Sequence, residues 1–267
     1  MWKQVLLTVV LLAAGAGGAA SQVQQGAQDF AWTGRLESGQ TIEIKGVSGT
    51  IEAEPATGAE VEVRAVRRAG ERGDIEDVRI ETVRHGNGVT ICAVYPSRPS
   101  RRENRCESGR DWSVNVDDTD VRVDFTVRVP RGIHFLAKNI SGSIDARDLP
   151  ADATVTTVSG SIDVSAAGIV EAHTVSGSID ARMGTARLDR DLSFRTVSGS
   201  ITLRVPANFE AAFEASTISG DIESDFPVRV KRRRWVGVDA DGRIGQGGAH
   251  SLSMETVSGS IALLRIR

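Results

Sequence analysis

Apolar and polar residues alternate along most of this chain, and the alternation is organised around one short phrase that recurs seven times. The copies run Val47–Ile51, Ile140–Ile144, Val158–Ile162, Val175–Ile179, Val197–Ile201, Ile218–Ile222 and Val257–Ile261. The flanks repeat too. Apolar or small residues stand three and five places before the first aliphatic, as in Leu192 and Phe194, and two places after the closing Ile, as in Leu203. With Φ for an apolar or small residue, the template is Φ-x-Φ-x-x-Φ-S-G-[STD]-I-x-Φ. Alternation with period two predicts strands, because successive side chains point to opposite faces. The three-residue step from Phe194 to Val197 breaks that period and predicts a corner between them. This reading puts Val197, Gly199, Ile201 and Leu203 on one inward face. The glycine then bends the strand or admits another backbone.

Glycines 142, 160, 177, 199 and 220 are 18, 17, 22 and 21 residues apart. Such a period predicts an all-β β-solenoid of stacked ~17–22-residue coils, none able to bury its apolar face alone. Gly220 to Gly259 is 39 residues, which predicts two coils, the middle one lacking the phrase. Between Gly49 and Gly142 the phrase is missing, but alternation persists, most clearly from Val121 to Val129. This region reads as an N-terminal antiparallel β layer that caps or extends the stack. No segment carries a helical period, so no substantial helix is expected in the mature chain. The expected organisation is a signal peptide at 1–20, the β layer with the first repeat at 29–133, and the solenoid at 134–267, the last two forming one continuous domain.

Composition agrees. Of 267 residues, 28 are Gly and only seven Phe, four Trp and one Tyr are aromatic, which suits a thin core of Val, Ile, Leu and Ala. Hydrophobic content of 40% with 25% charged residues excludes a disordered chain and a polytopic membrane protein. The start reads as a secretory signal: Lys3, an apolar run over Val5–Ala14, then Gly and Ala to Ala20. The apolar run is short of the ~20 residues that span a bilayer. Cleavage is expected near Ala20–Ser21, giving a periplasmic, cell-surface or secreted protein with no remaining transmembrane segment. Export permits a disulfide, and Cys92 and Cys106 are the only pair available to close the basic loop between them.

The repeated T-V-S-G-S-I phrase resembles the bacterial adhesin-like family known as domain of unknown function 4097. So do Ile42–Ile51, the strand closing on Val129-Pro130-Arg131-Gly132, and Ile244-Gly245-Gln246-Gly247-Gly248. The likeness runs from about Asp29 to Arg267. It implies a repetitive, envelope-associated all-β fold with no established catalytic residues.

The polar residues offer surfaces and no catalytic constellation. The phrase serines lack the G-x-S-x-G turn of a hydrolase and read as outward groups that bond to a turn or the next coil. Threonines before the first aliphatic (Thr157, Thr174, Thr196, Thr217, Thr256) suggest a stacked ladder at the corner. The histidines His85, His134, His173 and His250 form no ligand motif. Asp145, Asp163 and Asp180 follow the closing Ile in consecutive coils and should stack ~4.8 Å apart. They read as a solvated face, or else as a weak Ca²⁺ or basic-partner surface. Arg229 and Lys231, then Arg232, Arg233, Arg234 and Trp235, make a basic cluster. After export it would face anionic polysaccharide or lipid headgroups more readily than nucleic acid, and a net charge of −3 gives no reason to expect the latter.

The function expected is a non-catalytic envelope or secreted β-solenoid with an adhesin-like or scaffold surface. No cofactor or metal is expected, and the partner would be a cell-surface polysaccharide or another envelope protein. The alternatives are a polysaccharide-active β-helix enzyme, for which aromatic platforms are scarce, and an envelope-stress regulatory partner.

Overall fold

A computed structural model describes residues 29–98, 101–109, 114–117, 119–234 and 236–266. The signal segment 1–20 and Trp235 lie outside these residues. At the N-terminal end are β1 (Asp29–Gly34), β2 (Thr41–Lys45), β3 (Ile51–Pro55), β4 (Val61–Arg68), β5 (Arg79–His85), β6 (Gly88–Val94) and β7 (Arg122–Val129). Coils follow as strand pairs: β8 (His134–Lys138) with β9 (Ile144–Leu149), β10 (Ala153–Thr156) with β11 (Ile162–Ala166), and β12 (Val170–His173) with β13 (Ile179–Met183). Next come β14 (Leu192–Arg195) with β15 (Ile201–Val205), then β16 (Ala211–Ser219) with β17 (Ile222–Ser224). A hairpin of β18 (Arg229–Arg232) and β19 (Val238–Ile244) precedes the last coil, β20 (Ser251–Ser258) with β21 (Ile261–Arg265). Among the described residues the only helical element is a 3-10 turn at Ile75–Asp77.

Each coil gives one strand to each of two sheets. The strands after the phrase form a ten-stranded sheet in the order β1-β4-β7-β3-β9-β11-β13-β15-β21-β17. Those before it form an eleven-stranded sheet, β18-β19-β16-β20-β14-β12-β10-β8-β2-β6-β5. Inward residues of both sheets make one apolar cluster that runs from Ile42 to Leu263 and joins the N-terminal strands to the coils. The N-terminal layer is less antiparallel than its alternation suggests. Strands β6 and β7 run parallel to β2 and β3, as a further coil without the phrase. Only β1, β4 and β5 are antiparallel additions, and they cover the end of the stack.

Two expectations are corrected. First, the parity break falls later than predicted. Val158, Val175, Val197, Ile218 and Val257 are 43–49% exposed, whereas the threonine before each is at most 5% exposed. Thr continues the inward period of the preceding strand, and the corner is made by the Val-Ser-Gly-Ser segment. A buried hydroxyl needs a partner, and each Thr has one. Thr157, Thr174, Thr196 and Thr256 donate to the carbonyls of Gly142, Gly160, Gly177 and Gly199 at 2.9–3.2 Å. In the second copy Asn139 takes this slot and donates to the Gly49 carbonyl at 2.8 Å. The glycine admits a neighbouring backbone: a methyl on Gly177 would stand 2.5 Å from the carbonyl carbon of Gly160, and nearer still to its oxygen.

Second, the copies do not stack in chain order. Strand β21 lies between β15 and β17, and β20 between β14 and β16, so the seventh copy is inserted between the fifth and sixth. Thr217 accordingly bonds to the Gly259 carbonyl at 2.9 Å. The 39-residue step holds no missing coil. It holds the hairpin β18–β19, antiparallel on β16, which extends the eleven-stranded sheet beyond the other.

Candidate binding surface

The outer face of the ten-stranded sheet carries the predicted acidic column. Asp145, Asp163 and Asp180 are paired in register on β9, β11 and β13, with Glu52 of β3 opposite Asp145. The column is not a bare run of like charge. Arg147 bridges Asp145 and Asp163 at 2.8 and 3.0 Å, and Arg204 pairs with Asp180. Partial burial raises the Asp145 carboxyl above its ordinary range, Arg147 opposes this, and Asp163 adds to it. Beside the carboxylates runs a hydroxyl column of Ser143, Ser161, Ser178 and Ser200, and together they line a shallow groove. These serines hold coils together: the N–H of Ser200 donates to Ser178 Oγ at 3.2 Å, and that of Ser260 to Ser200 Oγ at 3.1 Å.

The basic cluster lies elsewhere, on the hairpin, and its charges are matched locally. Arg232 pairs with Asp221 at 2.7 Å, Arg233 with Asp239 at 2.5 Å and Lys231 with Asp241 at 3.0 Å. The Arg233 partnership holds Asp239 below the usual carboxylate range. Arg234 is fully part of this exposed segment. Acidic column and basic cluster are therefore separate surfaces, each largely neutralised from within. The histidines bond singly, for example His173 to Glu171 at 3.3 Å. Among the described residues no three His, Cys, Asp or Glu side chains converge to hold a metal ion.

Cys92 and Cys106 form a disulfide with Cα atoms 5.5 Å apart. The bridge holds a loop over the outer face of β2, where Glu43 and Lys45 are buried beneath it. Lys45 is 0% exposed. Its ammonium donates to the carbonyls of Glu107 and Gly109 at 2.5 and 3.2 Å and lies 3.4 Å from Glu43. Lys138 reaches the same Gly109 carbonyl at 2.6 Å, and Thr90 donates to Glu43 at 2.7 Å. Desolvation lowers the Lys45 pKa, and the neighbouring Glu43 opposes that shift. Sequence reading missed this buried cluster. The one available sign was a charged pair directly preceding a phrase copy in a chain with an adjacent disulfide loop.

Stack and face together define a two-sheet β-solenoid with polar ladders on its surface. The chain belongs to the Toastrack DUF4097 family, whose model matches residues 34–264. Among solved structures, a candidate cell adhesion protein from Clostridium sporogenes ATCC 15579 is 10% identical, covers 90% of this chain and 100% of its own, and has a TM-score of 0.45. A candidate adhesin from Bacteroides fragilis NCTC 9343 is 11% identical over 89% of this chain and 97% of its own, with a TM-score of 0.34. At these scores the likeness carries no functional argument. No curated protein matches the chain.

Proposed function

We propose that this is an exported, non-catalytic, adhesin-like protein that presents the outer face of its ten-stranded sheet as a binding or scaffold surface in the cell envelope. The observation that carries this reading is the repetition of one polar set, hydroxyl then carboxylate, at the same place on successive coils. Parallel strands repeat every ~4.8 Å, so the face offers equivalent contacts along a line. That suits an extended, repetitive partner such as a cell-surface polysaccharide better than a compact substrate. Among the described residues, reactive side chains are spread in columns and do not converge on one reacting atom, as acid–base or nucleophilic catalysis requires. Residues 29–267 act as a single body in this reading, since the core passes through both parts.

Three experiments test it. N-terminal sequencing of the exported protein should begin at Ser21, and fractionation should place it outside the cytoplasm. Purified protein should bind isolated envelopes and lose that binding when glycans are stripped. Turnover of a polysaccharide, or binding abolished by protease and untouched by glycan removal, would refute the proposal.

A further inference from the structure

At the C-terminal end of the same face the charge matching fails. Elsewhere on the face each paired arginine meets its own carboxylates: Arg128 meets Glu54 at 3.1 Å, and Arg147 sits between two aspartates. Arg182 on β13 lies directly opposite Arg204 on β15. Like charges facing each other across neighbouring strands are destabilising. One carboxylate, Asp180, is directed at Arg204, and Arg182 makes no ion pair among the described residues. The next strand places Leu264 opposite Arg204. A third guanidinium, that of Arg265, stacks over the Phe226 ring at 5.0 Å.

Arg182, Arg204, Leu264 and Arg265 line a cleft of about 550 Å³ together with Glu223 and Asp225. That volume lies within the ~300–1,000 Å³ range of small-ligand sites. The composition is specific. Arg182 and Arg204 offer planar donor forks suited to a carboxylate. Leu264 offers an apolar patch against which a ring can lie. Glu223 and Asp225 are acceptors, which suits hydroxyl donors and disfavours a densely charged polyanion. Asp225 is held in place by the backbone N–H of Arg265 at 2.9 Å.

We infer that this cleft binds an acidic sugar unit, with the carboxylate on Arg182 and Arg204 and the hydroxyls on Glu223 and Asp225. The inference rests on the proposed binding role and names the site and ligand class for it. The test is calorimetric titration with an oligogalacturonate, its methyl ester and inorganic phosphate, on the oxidised full-length mature protein. The acidic oligosaccharide should bind, and esterification should weaken binding tenfold or more. Arg182→Gln should weaken binding by a similar factor while circular dichroism stays unchanged, and Arg232→Gln on the separate hairpin should have no effect. Equal binding of acid and ester, or wild-type affinity in Arg182→Gln, overturns the inference. So does a site saturated by phosphate and indifferent to the sugar, which would assign it to a phosphate-bearing headgroup. Absence of sugar binding in a protein that still binds isolated envelopes overturns the cleft assignment alone. Absence of both overturns the parent proposal as well.

Discussion

Replacing Gly177 by Ala tests how the coils are held together. Gly177 has φ +151°, a conformation that L side chains rarely adopt. Sparsely populated backbone conformations cost about 1–3 kcal/mol. The added methyl would also meet the backbone carbonyl of Gly160, which cannot swing aside as a side-chain tip can. Overpacking of that kind costs about 1–3 kcal/mol. Removing glycine from the unfolded chain returns about 0.4–1 kcal/mol. The expected loss is therefore about 2–5 kcal/mol, a large part of the ~5–15 kcal/mol that holds a typical domain. Urea unfolding of the oxidised protein, followed by far-ultraviolet circular dichroism, would measure it. Two controls isolate the cause. Ser176→Ala changes an exposed neighbour and should stay within ~0.5 kcal/mol. Gly58→Ala adds a methyl that meets nothing within 4 Å, and should be neutral or stabilising. A Gly177→Ala midpoint equal to that of Ser176→Ala would refute the argument that glycine is required by close approach of coils.

Four further outcomes are expected. Thr196→Val leaves the Gly177 carbonyl without its 2.9 Å donor and should cost about 1–2 kcal/mol by the same assay, with Thr196→Ser closer to wild type. Paired Cys92→Ser and Cys106→Ser substitution opens a loop of sequence separation 14 and should cost about 3 kcal/mol; unfolding curves indifferent to reductant would contradict this. Tyr95, buried with its hydroxyl on the Val121 carbonyl at 2.8 Å, has its pKa pushed upward mainly by desolvation. Above about pH 10 the unfolded chain loses this proton while the native chain keeps it. Stability should therefore fall by up to about 1.4 kcal/mol per pH unit, and Tyr95→Phe should remove that contribution. Asp163→Asn removes one arm of an exposed bridge to Arg147 and should change stability by under about 1 kcal/mol. Calcium titration of the wild type should give no heat, and a calcium heat lost in Asp163→Asn would show that the column is a metal surface.

The phrase made the two-strand coil legible, because Ile and the flanking apolar residues keep strict period two on both sides of the corner. The corner itself was misplaced because Val is more apolar than Thr. Hydropathy alone cannot register that a Thr hydroxyl meets a glycine carbonyl one coil away, nor that Val197 gives up burial so that Thr196 can make that bond. Stacking order was hidden for a different reason. Near-identical phrases are interchangeable neighbours, so the choice of Gly259 as the partner of both Gly199 and Gly220 comes from the hairpin occupying the far side of β16. The acidic column was legible down to its register, but its neutralisation by Arg147 and Arg204 depends on side-chain reach between coils. The Arg182 cleft escaped notice because Arg265 and Asp225 are distant in sequence and meet only through that inserted coil.

The insertion of the seventh copy also constrains the order in which the stack can assemble. Strands β16 and β17 are synthesised before β20 and β21, yet among the described residues their ladders join the parallel stack through β20 and β21, with one bridge from Glu210 to Arg187 besides. A chain stopped before Ser251 would leave β14 and β15 as open edges and strand β16 with its hairpin as a detached flap. Open edges invite aggregation and cleavage. Assembly here thus resembles the closing of a clasp, in which the piece made later is the one that both halves need.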